Sequence, residues 1–170
     1  MLTGHSQGGI AAAACAADPS FMQRFHVTSV VTGGSPIARM DIPDSVSVMS
    51  LEHAQDPVPK LDGRDNPAQD NWVTVSRELP TSDVRAAAAR AADELEAAAA
   101  AEPDPVKADQ LARAAAERRA TYGPGDAHST EFYVDTGKIV SEASDPTLQR
   151  WQDANAAYFE GSTEVRRWRI

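Results

Sequence analysis

The sequence is short of the residues that build large cores and of those that tie small ones together. Its 170 residues include a single cysteine, Cys15, which excludes an intramolecular disulfide and any multi-cysteine metal site. Leu, Ile, Val and Phe together number 29, fewer than the 31 alanines. That share lies below the roughly 20% at which a charged composition begins to suggest disorder. No run approaches the roughly 18 apolar residues of a membrane span. Basic clusters are missing too: 16 Lys and Arg face 25 Asp and Glu, and the formal charge of −9 argues against nucleic-acid or anionic-membrane partners. Neither an H-E-x-x-H pair nor a phosphate-binding glycine loop occurs, so no metal or nucleotide cofactor is implied.

What is present is unevenly spread. The large apolar residues cluster in Val27–Leu61 and thin out in Asp83–Ala120, where 17 alanines accompany only four large aliphatics. The first stretch can supply a core and the second cannot alone. The length suits one domain.

Along the chain, the stub Met1–Thr3 runs into Gly4-His5-Ser6-Gln7-Gly8-Gly9. The Ala-rich stretch Ile10–Ala17 predicts a helix stopped at Asp18-Pro19. Val27–Thr32 and Val46–Leu51 are continuous and β-branched, as buried parallel strands are, and Trp72–Ser76 is a third strand. Gly33-Gly34-Ser35-Pro36 between the first two is a turn cluster. Asp83 to about Ala101 and Asp104 to about Ala120 predict two helices, broken by Glu102-Pro103-Asp104-Pro105 into a hairpin and closed by Tyr122-Gly123-Pro124-Gly125. Phe132–Val140 predicts a strand or hairpin around Asp135-Thr136-Gly137. A last amphipathic helix from Asp145-Pro146 carries Leu148, Trp151, Ala154 and Tyr158. Trp72, Trp151 and Trp168 are expected to anchor packing, and Cys15 to serve as a small packing residue.

Gly4-His5-Ser6-Gln7-Gly8 fits G-x-S-x-G, the nucleophile elbow. The chemistry needs a serine on a strained strand-to-helix turn, its hydroxyl clear of the backbone. It also needs glycines, here Gly4 and Gly8, where side chains would collide. The following helix then aims its N-terminus at a developing oxyanion, with the Gln7 amide as one donor. A serine nucleophile requires a base and an orienting acid, which in this setting follow in the order acid, then histidine. Of four histidines, His5 and His26 come too early and His53 precedes Asp56. Only His128 lies downstream, in the loop Gly125–Ser129. For the acid, Asp56 sits in a loop rigidified by two prolines, with Glu52, Asp62 and Asp65 as competitors.

Taken together, Gly4-His5-Ser6-Gln7-Gly8-Gly9, Thr32-Gly33-Gly34-Ser35-Pro36 and Asp56-Pro57-Val58-Pro59-Lys60-Leu61 resemble the α/β-hydrolase superfamily, and most of all its lipase-like members. The resemblance spans Leu2–Leu61 well and the surroundings of His128 loosely. It implies an α/β fold with a parallel sheet and a triad of Ser6, Asp56 and His128, acting on a small-molecule or lipid ester. It also implies two departures. Residues 83–120 would be a helical hairpin inserted before the histidine. The chain would hold the C-terminal portion of the domain, with residues 1–170 beginning at the elbow strand. A protein partner or preceding segments would then cover an open sheet edge, and this chain by itself would be a poor catalyst. The competing expectation, from a different class, is a non-catalytic remnant that binds a partner protein through the Ala-rich hairpin.

Overall fold

The computed structural model describes residues 1–121 and 123–158; Trp168, expected to anchor packing, and Tyr122, expected to help close the hairpin, lie outside them. Among the described residues, four parallel strands form one sheet in sequential order: β1 (Leu2–His5), β2 (Ser29–Gly33), β3 (Ser47–His53) and β4 (Trp72–Arg77). Residues 30, 48 and 72 share one register row and 31, 49 and 73 the next. Alternation along a strand sends these rows to opposite faces, so both faces need cover.

One face is covered by α1 (Gln7–Ala17) and α2 (Pro19–Phe25). Ala12, Ala13 and Ala16 of α1 pack with Val30, Val48 and Trp72 in the larger core cluster. Alanine is what brings this helix close to the sheet, since a longer side chain would hold it off. Asp18 does stop α1, and it also starts α2, accepting the Phe21 amide at 2.7 Å as a helix cap. The other face is covered by α6 (Thr130–Glu142) and α7 (Pro146–Asn155). Their Tyr133, Val140 and Trp151 pack on Met49 and Leu51. Two polar pairs are buried between these layers: the Ser29 hydroxyl donates to Asn155 of α7, and the Trp72 indole to the Ser50 hydroxyl at 3.1 Å.

Phe132–Val140 is helical, not a strand or hairpin. Its buried residues are Phe132, Tyr133, Thr136 and Val140, which lie on one side of a 3.6-residue repeat. The β-branched and aromatic content that favoured a strand is overridden by that burial pattern. Gly137, read as a turn, is a helical position with open space where a Cβ would stand.

Between β4 and the second cover layer, α3 (Thr81–Ala101) and α4 (Pro105–Ala120) pack against one another. Arg119 of α4 pairs with Asp93 and Glu96 of α3. Only Val84, Ala88 and Ala92 of α3 and Ala115 of α4 are buried. Val84, near the base, joins Leu79, Ala127 and Phe132 in a small third cluster. Ala supports a helix but offers little apolar area to offset the entropy of docking. Hydrogen exchange should therefore be fast from the tip at Ala101–Val106 through the outer turns, slower at Val84–Ala92, and slowest in β2 and β3. Uniform strong protection along both helices would contradict this. Among the described residues, no helix is long and apolar enough to cross a membrane.

Candidate active site

The carboxyl ends of the parallel strands converge on one corner, as the strand ends of open α/β sheets commonly do. Ser6 follows β1 directly and caps α1 at φ 55°, ψ −124°, a positive φ that is uncommon for a serine. Its amide donates to the Gly33 carbonyl at 2.9 Å, tying the turn to the end of β2. Its hydroxyl makes no capping bond, although a serine at a helix start ordinarily does. The Gln7 amide heads α1, and no carbonyl of that helix can satisfy it.

Asp56 lies three residues beyond β3, buried at 3% exposure. His128 caps α5 (Pro124–Ala127), so the expected loop contains a helical turn. The His128 Nδ1 donates to Asp56 Oδ2 at 2.6 Å, across 72 residues of chain. A carboxylate can only accept, so Nδ1 carries a proton, and in the neutral ring the lone pair sits on Nε2. The Asp56 carboxylate also accepts the Val58 amide at 2.9 Å and the Tyr133 hydroxyl at 2.7 Å. The structure thus joins Asp56 to His128 directly. Ser6 reaches the same corner without a hydrogen bond to His128: the neighbouring His5 ring stands 4.6 Å from the His128 ring, centroid to centroid.

The turn after β2 is the floor of this corner. Gly34 has φ +62°, and a Cβ there would come within 2.9 Å of His128 Cε1 and of Tyr133 Cε2. A glycine is required on both counts. The elbow glycines divide differently from expectation. A Cβ on Gly4 would overlap the backbone of Gly8, and one on Gly9 would overlap the Ser35 hydroxyl, whereas Gly8 has nothing within 4 Å. The close approach is of Gly8's backbone to Gly4, so the Cβ that cannot exist is on Gly4. Gly4→Ala should destabilise the fold by about 3 kcal/mol or more, because the obstacle is backbone that cannot step aside. Gly8→Ala should change stability by no more than about 1 kcal/mol, in the stabilising direction. Urea denaturation of the two variants tests the contrast.

Comparison with family models, curated proteins and solved structures finds no match to this chain. What the corner does has to be read from its own chemistry.

Three participants carried no signal in the sequence. His53, set aside because of its place in the chain, is 2% exposed and spans two helices. Its Nδ1 donates to the Ala127 carbonyl at 3.0 Å, and its Nε2 accepts the Thr136 hydroxyl at 2.9 Å, which in turn accepts from Arg77 at 3.0 Å. Burial holds this imidazole below its ordinary value, in keeping with a neutral ring. His53 therefore pins the residue before His128. Tyr133 stacks on His53 with centroids 3.9 Å apart, and burial, then the bond to Asp56, hold its phenol far above the ordinary value. His5 pairs with the Thr130 hydroxyl at 3.0 Å; burial and then the adjacent His128 lower its value.

The rival acids are placed elsewhere. Glu52 is held by Lys60 at 2.9 Å and Asn66 at 2.6 Å, and Lys60 also pairs with Asp65 at 2.9 Å. The Asp62 side-chain oxygens are buried with no hydrogen-bond partner. The α3–α4 hairpin borders the site: Arg118 pairs with the buried Asp126 at 2.7 Å and Arg90 with Glu131 at 3.0 Å. These ion pairs flank His128, and a cavity of about 300 Å³ lies between the hairpin and that histidine. No group of three or more metal-ligating side chains occurs among the described residues.

Proposed function

We propose that the protein is a serine hydrolase acting on a carboxylic ester, with Ser6 as nucleophile, His128 as base, Asp56 as orienting acid and the Gln7 amide as an oxyanion donor. The observation that carries this reading is the 2.6 Å hydrogen bond from His128 to the buried Asp56, at the same corner as a strained serine with an unbonded hydroxyl. In the reaction, the Ser6 oxygen attacks the carbonyl carbon while His128 Nε2 takes its proton. The tetrahedral oxyanion faces the Gln7 amide at the helix N-terminus. His128 returns the proton to the departing alcohol, leaving an acyl group on Ser6. Water activated by His128 then releases the acid. Asp56 holds one tautomer and stabilises the imidazolium throughout.

The chain order of Ser6 after β1, Asp56 after β3 and His128 after β4 supports membership of the α/β-hydrolase superfamily. On this reading residues 83–120 are an insertion between the last strand and the histidine. The lipase-like motifs suggest a lipid or small-molecule ester as substrate; a peptidase, thioesterase or acyltransferase would use the same residues. The test is a fluorophosphonate probe, which reacts only with an activated serine. Labelling should occur, map to Ser6 and disappear on denaturation. A folded protein in which Ser6 remains unlabelled would sink the proposal; turnover of short-chain p-nitrophenyl esters, expected to be slow for this chain by itself, is the second readout.

A further inference from the structure

We infer that Tyr133 is a positioning residue of this site: its hydroxyl, bonded to the same Asp56 oxygen that holds His128, fixes that carboxylate and moderates its pull on the imidazole. The inference rests on the hydrolase reading and adds to it a residue outside the triad.

Asp56 Oδ2 accepts two hydrogen bonds, from His128 Nδ1 at 2.6 Å and from Tyr133 at 2.7 Å, while Oδ1 takes the Val58 amide. Every donor on a carboxylate lowers its basicity, and donors that share one oxygen compete for the same electron density. The Tyr133 ring is itself immobilised. It is 4% exposed, stacked on His53, and edge-on to His128 with centroids 6.3 Å apart. Glycines at 33 and 34 admit it, since a Cβ at either would come to about 3 Å from the ring. The His53 amide donates to its hydroxyl oxygen at 3.3 Å, which leaves the phenolic proton directed at Asp56. So large an investment in one ring exceeds what packing of a half-apolar side chain requires. Its consequence is a carboxylate that cannot rotate and that draws the imidazolium less strongly than a bare one would.

Tyr133→Phe keeps the ring, its stacking and its volume, and removes only the hydroxyl. With that donor gone the carboxylate becomes more basic, and the acid limb of the kcat/KM profile should move to higher pH by about half a unit. On the rising limb this is about threefold in rate. The imidazole signals of His128, followed by NMR, should move with pH in the same direction. The other charged or titratable groups around His128 are His5 on β1, His53 on β3, Arg90 and Glu94 on α3, Arg118 on α4, Asp126 on α5 and Glu131 on α6, and the substitution alters none of them. Replacing all three tyrosines with a fluorinated, more acidic tyrosine strengthens the donor without loss of packing, and should move both readouts to lower pH. An unmoved limb, or a loss of rate uniform across pH, would show packing alone and overturn the inference. Should Ser6 remain unlabelled in both proteins, the hydrolase reading fails by itself. The NMR signals then decide the Tyr133 coupling: movement sustains it, and coincident curves overturn it.

Discussion

Replacing Ser6 with alanine is expected to lower ester turnover by about 10⁴-fold or more and to abolish fluorophosphonate labelling, with stability nearly unchanged. A serine at a helix start normally serves the helix by accepting an amide bond, and its loss then costs about 1 kcal/mol. Here that bond is absent, so the hydroxyl contributes nothing to the cap. The backbone at φ 55° is costly for serine and alanine alike, and the Ser6 amide keeps its bond to Gly33 in either case. The hydroxyl is therefore free for chemistry and dispensable for folding. Denaturation midpoints of the two proteins, measured beside p-nitrophenyl acetate hydrolysis, separate the roles. A variant that retains more than about one hundredth of the activity would rule out Ser6 as nucleophile.

The second large effect is expected at Asp56. Asp56→Asn should reduce kcat by about 10⁴-fold at neutral pH. An amide at this position can keep one oxygen for the Val58 amide, but its nitrogen then meets His128 Nδ1. That contact favours the tautomer with Nδ1 as acceptor and the proton on Nε2, which can no longer receive the Ser6 proton. The charge that stabilises the imidazolium is lost as well. Asp56→Ala differs in kind: it leaves the Val58 amide and the Tyr133 hydroxyl without their acceptor, at about 1–3 kcal/mol each in stability. Asn should therefore be inactive and lose only the Tyr133 acceptor, and Ala inactive and destabilised further by the loss of both. Comparable activity in Asn and wild type would remove Asp56 from its assigned role.

Both effects concern residues legible from pattern alone, and the reason is local. A strand-to-helix turn that must carry a strained serine leaves a trace within a few residues: Gly4, Ser6 and a run of alanines that can lie close to the sheet. The strands Val27–Thr32 and Val46–Leu51 were legible because burial on both faces writes continuous apolar runs, and Trp72–Ser76 because Val73 and Val75 alternate with Thr74 and Ser76. The order of acid and histidine along the chain pointed to Asp56 and His128, although 72 residues separate them. Both helices of residues 81–120 announced themselves through alanine content and the second through its Asp104 cap and Pro105, whereas Asp83 lies in the first turn of a helix that starts at Thr81 and caps nothing.

Other features existed only once the chain had closed on itself. Gly9 and Gly34 matter because of the Ser35 hydroxyl and the His128 and Tyr133 rings, which arrive from elsewhere in the sequence. Phe132–Val140 has side chains that suit a strand, and it became a helix because Phe132, Tyr133, Thr136 and Val140 bury one stripe beside the sheet. With the segment read as extended, Tyr133 could not be connected to Asp56. His53 was distinguishable from a catalytic histidine only by its partners, Ala127 and Thr136, which occupy both ring nitrogens. Local pattern was enough to single out candidates for chemistry, because the turn and the strands impose their requirements on near neighbours. The tertiary structure alone decided which rings and carboxylates share hydrogen bonds, because those bonds join residues 70 to 80 positions apart, where no local rule reaches.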